Sequence, residues 1–475
     1  MRPPIGRRRG QLVTIHPRSR DTFGQRWTAP LLVASLVVTV AVSSVASAFD
    51  TLGTLALLLL AGAALMVAIW RPVFLFYAYC AAIPFNFALP PGPAGTVARI
   101  AGLAFFLGYL IRRPDSLRPS TVPLTGWILL AWTLASCLWA IDSATAFESW
   151  LSLVQLFAIT VLIASLVSAN SGIVRSALWF YAISAVVTAV VGSVTYLQSP
   201  VIFLTRAEAF PDQDPALFAS LLLPAAIFLM WELQSRTSRI PVRLAAACAL
   251  VVCGVALALS GTRSAWAGVI VAIVVWSVLQ RDARQVIAVA ALASGVGLLV
   301  ALVPGIGEFL LGRTASSLTT GGAGRTDIWV VGLSILAAAP LIGVGFANFP
   351  VAFSPYAIAQ APAAAAVQGA VYAGRAPHSV LLGTAVETGI VGGILLIVFF
   401  ASAFRQPASD GITNLVRVVL VGLLVQSLFL DILLQKQLWL FVAIAFGLTA
   451  AQRADSAVTP ERRPLPTVTM EPRSP

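Results

Sequence analysis

Apolar stretches near bilayer-spanning length recur along almost the whole of this 475-residue chain, roughly fourteen of them. A helix needs about 20 apolar residues to cross a hydrocarbon core about 30 Å thick. Inside that core every backbone N–H and C=O must be satisfied by the protein itself, which leaves only helices and closed barrels. Long continuous apolar runs exclude a barrel, whose strands alternate. With 59% hydrophobic and 10% charged residues, the composition fits no soluble domain. The expectation is an all-α integral membrane protein of about 12–14 transmembrane helices, with one large external loop containing short helices.

The candidate spans are 30–48, 52–69, 73–89, 97–111, 124–141, 150–168, 175–196, 215–231, 244–260, 264–280, 285–303, 379–400, 413–430 and 436–451. The chain thus divides into a basic tail (1–29), eleven helices (30–303), a large loop (304–378), three further helices (379–452) and a tail (453–475) rich in Pro, Arg and Ser that reads as disordered. A long loop is more often functional than structural. Within it, Arg325–Ala339 has helical spacing, with Trp329, Leu333 and Leu336 on one face.

The net charge of +12 would suggest nucleic acid in a soluble protein. Here the arginines crowd into both tails and alternate gaps, as the positive-inside rule requires of cytoplasmic segments. No nucleic-acid partner is expected. Both termini are expected in the cytoplasm of a multi-pass membrane protein. The run Val45-Ala46-Ser47-Ala48 has the small-residue pattern of a signal-peptidase site, but the long basic lead favours a retained span. Cys80, Cys137, Cys248 and Cys253 all fall inside spans and read as small apolar residues, not as disulfides or metal ligands.

Six arginines break the sorting: Arg99, Arg206, Arg263, Arg313, Arg325 and Arg375. Arg99 and Arg313 read as snorkelling or headgroup contacts. The others sit in four clusters on the external side. These are Thr205–Pro215, entering a span; the corner Ser260-Gly261-Thr262-Arg263; Gly324-Arg325-Thr326-Asp327-Ile328-Trp329 followed by Pro340-Leu341-Ile342-Gly343-Val344-Gly345; and Arg375-Ala376-Pro377-His378-Ser379 running on to Glu387, Gly389 and Gly392. Guanidinium groups hold phosphate oxygens bidentately and keep their charge at neutral pH. Low-dielectric surroundings strengthen that attraction. His378 is the only histidine besides His16, and an imidazole titrates where it can take a proton from a hydroxyl. Gly389 and Gly392 read as close helix contacts, and Glu387 as a structural partner for an arginine.

Taken together, these motifs resemble the O-antigen ligase and polymerase family of bacterial membrane glycosyltransferases. The likeness runs from about Arg206 to Gly393 and is most specific in the Pro-Leu-x-Gly-x-Gly turn and the His-Ser…Glu-x-Gly-x-x-Gly run. The family usually has Asn after the histidine, where this chain has Ser379. The resemblance implies transfer of a glycan from a polyprenyl-pyrophosphate carrier to an acceptor hydroxyl at the outer face of the cytoplasmic membrane, by a ligase or a polymerase, in cell-surface polysaccharide assembly. It implies a saccharide or lipid-linked acceptor, surrounding membrane lipids, no cofactor and no metal. It also implies that Arg206, Arg263, Arg325 and Arg375 bind pyrophosphate, that His378 is catalytic, and that Glu387 and Ser379 support it, Glu387 by orienting a cation. The rival expectation is a transporter or lipid-carrier flippase with no chemistry, whose usual signs are internal repeats and interrupted spans.

Overall fold

A computed structural model describes residues 72–88, 96–112, 116–199, 205–211, 213–235, 238–280, 325–360, 375–405 and 410–458. The expected spans at 30–48, 52–69 and 285–303 lie outside these residues, as do Arg313 and Gly324. The described residues form helices and connections, with no strand among them. In chain order the α-helices are α1 (Pro72–Ala82), α2 (Val97–Arg112), α3 (Leu124–Ser136), α4 (Ser143–Ala169), α5 (Val174–Gln198), α6 (Pro215–Gln234), α7 (Ile240–Leu259), α8 (Arg263–Gln280), α9 (Arg325–Ala338), α10 (Phe349–Gln360), α11 (Val380–Ala401), α12 (Gly411–Ser427) and α13 (Lys436–Val458).

Five described segments are long and apolar enough to cross a membrane: Ser143–Ala169, Ser171–Gln198, Pro215–Gln234, Ile240–Leu259 and Val380–Phe404. The protein is an all-α, multi-pass integral membrane protein. Its outward faces are apolar: Leu103, Leu244 and Val278 are 60%, 63% and 71% exposed, as lipid-facing positions should be. Hydroxyls within the spans turn back on their own helix. Thr160, Ser184 and Thr188 donate to the carbonyls of Leu156, Phe180 and Ser184 at 2.8, 3.0 and 2.9 Å, which satisfies these hydroxyls within the helix. The helix starts carry side-chain caps where the chain leaves the bundle. Asp142 accepts from the N–H groups of Ala144 and Thr145 ahead of α4, and Asp214 from that of Ala216 ahead of α6.

The segment between α8 and α11 contains α9 and α10, which form a small apolar cluster of their own with Val386 of α11. The buried side of α9 is Ile328, Val331, Gly332 and Ile335, not the Trp329–Leu333–Leu336 stripe. Trp329 and Leu336 pack at its margin and Leu333 is exposed. The cause is Gly332: with no side chain, it lets α9 settle onto Phe349 and Leu382.

The helix α11 is broken at Gly389, whose φ of 75° and ψ of 176° are non-helical. The Pro340–Gly345 turn fills the break. Val344 and Gly345 N–H groups donate to the carbonyls of Val386 and Glu387 at 3.1 and 2.8 Å, and Ile390 N–H donates to Pro340 at 2.8 Å. The indole N–H groups of Trp132 and Trp139 donate to the carbonyls of Thr388 and Ile342 at 2.8 and 3.1 Å. The expectation that Gly389 serves close helix packing is thus corrected: it opens the helix. Any Cβ there would collide with the Leu341 carbonyl, and only glycine adopts this φ without strain. Gly392, one turn on, does lie against Trp132.

Candidate active site

The loop before α6 is stitched to the corner between α7 and α8. Ala207 N–H donates to the Leu259 carbonyl at 3.1 Å. Arg206 reaches across with Nε on the Ser260 carbonyl and Nη2 on the Thr262 hydroxyl, both at 2.7 Å. That hydroxyl in turn donates to the Pro215 carbonyl at 3.2 Å. Two of the nitrogens through which Arg206 was expected to hold phosphate therefore brace the corner instead.

Arg263 is the first residue of α8 and is exposed; Arg325 is the first residue of α9 and is half-buried. Both line one cavity of about 340 Å³, whose other walls are Ser264, Ala267, Thr326, Trp329 and Phe429. Burial and the neighbouring Arg263 pull Arg325 below its ordinary pKa, while Asp214 offsets part of that. Even so, a guanidinium keeps its proton at neutral pH. Two cations thus face a shared space at the starts of two helices, where the backbone N–H groups and the macrodipole also favour an anion. Trp329 and Phe429 form the apolar wall, with ring centroids 6.0 Å apart.

His378 lies just before α11, within electrostatic reach of Arg325. Burial lowers its pKa first, the Arg325 charge lowers it further, Asp214 raises it, and Arg375 lowers it again. The net direction favours the neutral ring. Its backbone is left-handed, φ 48°, a conformation that costs a non-glycine residue about 1–2 kcal/mol and that collects at functional sites. Ser379 holds the next position: its hydroxyl accepts from Leu382 N–H at 3.3 Å and caps α11. Asn and Ser are both good caps, so the departure from the family's usual Asn preserves the local structure.

Glu387 lies away from this cluster, in the last turn before the break. Its Oε1 accepts from Phe349 N–H at 3.3 Å, at the start of α10. Among the described residues the one ion pair is Arg175 with Glu232, at 2.7 Å, and Glu387 forms none. The carboxylate ties α10 to the broken span because the N–H groups that open a helix lack intrahelical acceptors. The cavity wall residues Trp329 and Phe429, and Asp214 as the countercharge, carry no role in the motif reading. Phe429 in particular follows α12 and has no motif around it. Among the described residues no group of three or more His, Cys, Asp or Glu side chains is arranged to hold a metal ion.

The fold and the site define a multi-pass membrane protein with a basic cavity and a histidine at one end of its helices. The family model described as O-Antigen ligase matches residues 248–397, about a third of the chain. The match takes in Arg263, Arg325, His378 and Glu387, together with the Pro340–Gly345 turn. The match supports a part in glycan ligation or polymerisation in cell-surface polysaccharide assembly. No curated protein and no solved structure gave a significant match.

Proposed function

We propose that the cavity between Arg263 and Arg325 receives the pyrophosphate of a polyprenyl-linked glycan, and that His378 activates the acceptor hydroxyl. The observation that carries this reading is the convergence of two arginines on one cavity, with a neutral-leaning imidazole electrostatically coupled to one of them. The acceptor oxygen forms a bond to the anomeric carbon as the bond from that carbon to the pyrophosphate oxygen breaks. The hydroxyl proton passes to His378, and the negative charge gathering on the leaving pyrophosphate is stabilised by the two guanidinium groups. Arg375 adds positive charge near the histidine. Arg206 acts one step back, holding the corner from which Arg263 emerges. Ser379 and Glu387 fix the start and the break of the helix that follows His378.

The cavity belongs on the outer side of the membrane, with both tails inside. The excess of arginine in the opposite gaps supports that orientation. The reaction needs neither a metal nor a nucleotide sugar. The test is transfer from purified polyprenyl-pyrophosphate-linked glycan to acceptor in detergent, with and without a chelator. Transfer that stops in the chelator and returns with Mg²⁺ would overturn the metal-free scheme. Wild-type rates in His378→Ala would overturn the role of the histidine.

A further inference from the structure

A second cavity, of about 320 Å³, lies between α2 and α4 and shares no lining residue with the first. Its walls are mostly apolar, with Tyr79, Gly102, Phe106 and Ile159 among them, and two cations line it: Arg99 and Lys436. Arg99 is near the start of α2, and Lys436 is the first residue of α13. Each is anchored by one neutral contact. Lys436 Nζ donates to Asn86 Oδ1 at 2.7 Å, and Arg99 Nη2 donates to Ser152 Oγ at 3.4 Å. Arg99 is near enough to Lys436 to repel its charge. Two like charges facing an apolar space are costly unless an anion joins them.

Leu103 both lines the cavity and is 60% exposed, and Ile100 beside it is 49% exposed. The cavity therefore opens on the flank that meets lipid tails, and its ligand enters from the bilayer. Both cations sit at helix starts, the depth of headgroups. We propose that this is a binding site for a phosphorylated lipid, with the phosphate between Arg99 and Lys436 and an apolar chain along Phe106 and Ile159. The connection between α12 and α13 joins the two cavities, supplying Phe429 to the first and ending at Lys436 of the second. A lipid seated here thus sits at the same end of the helices as Arg263 and Arg325. This inference does not rest on glycan transfer, and its readout is binding.

The experiment uses the full chain in neutral detergent, in an Arg263→Ala/Arg325→Ala background that removes the cations of the first cavity. Binding of phosphatidylglycerol, a polyprenyl monophosphate and zwitterionic phosphatidylcholine is compared by native mass spectrometry. At least one anionic lipid should bind about tenfold or more tighter than phosphatidylcholine, the scale of one charged hydrogen bond. Adding Arg99→Gln and Lys436→Gln should abolish that preference, and glutamine at 436 can still donate to Asn86. Adding Arg99→Lys instead should keep most of it. Preference for the polyprenyl phosphate would identify a carrier lipid, and equal binding of the two anionic lipids a membrane lipid; both support the site. Equal binding of phosphatidylcholine, or a preference that survives the double glutamine change, would overturn it.

Discussion

The Ile390 N–H group donates to the Pro340 carbonyl at 2.8 Å, so the turn between α9 and α10 completes a helix that would otherwise cross the membrane with an open break. Backbone groups freed at membrane depth must find partners within the protein. Here the same turn also donates two N–H groups to the carbonyls of Val386 and Glu387. The two most specific motifs of the sequence are therefore one structure.

That pairing predicts the effect of Gly389→Ala. The substitution imposes strain at φ 75° and a clash with the Leu341 carbonyl. A left-handed alanine alone costs about 1–2 kcal/mol, and the clash adds to it. The variant should melt several degrees lower in detergent and lose transfer activity. Gly393→Ala, where an added Cβ would meet Ala385 at 3.3 Å, should be much milder. Equal melting of the two variants would remove the special role of the break.

The arginines predict a second result. Arg263→Ala and Arg325→Ala should each lower transfer at least tenfold, because a hydrogen bond to a charged group contributes about 1.5–3 kcal/mol. Lysine at either position should restore only part of the activity, since it cannot chelate two oxygens. Arg206→Ala should act differently. It releases the Ser260 and Thr262 contacts, so it should lower the melting temperature as well as the rate. Steady-state rates and thermal melts on the same preparations separate the two cases.

Much of this architecture is legible in the sequence. The stretch 215–231 reads as a span, and α6 runs Pro215–Gln234, because Asp214 and Pro215 mark a helix start and the apolar run marks its length. The arginines that violate the charge sorting mark two walls of the first cavity. What the sequence does not show is tertiary. A glycine inside a span reads as a packing contact, and the turn that fills the break at Gly389 lies far upstream. The helix α10 is hidden because Pro350 and Pro355 interrupt its pattern. Its tie to Glu387 is a backbone contact that no side-chain pairing rule can anticipate. Arg99 reads as a snorkelling residue until Lys436 is found beside the same cavity.

Orientation yields a third prediction. In a cysteine-free background, Ala337→Cys on the exposed side of α9 should react with a membrane-impermeant maleimide in intact cells. Ser171→Cys, in the connection between α4 and α5, should react only after the membrane is opened. The reverse pattern would put the cavity on the cytoplasmic side and end the proposal of an externally presented donor.

The last prediction concerns His378. Burial, the Arg325 charge and the Arg375 charge lower its pKa, with Asp214 in partial opposition. The ordinary value is about 6.5, so the ring should be neutral at neutral pH and able to accept a proton. Transfer should be flat near neutrality and fall on acidification with a midpoint below that ordinary value. Only His16 and His378 are present, so a His16→Ala protein carrying labelled imidazole gives a single ring to titrate by NMR. Removing a nearby positive charge should make the ring easier to protonate. The His378 midpoint should therefore rise in Arg325→Ala and rise less in Arg375→Ala, since Arg325 is the stronger influence. In Asp214→Asn it should fall, because the one opposing negative charge is lost. A midpoint unmoved by all three substitutions would mean that these groups do not surround the imidazole, and the proposed proton acceptor would lose its setting.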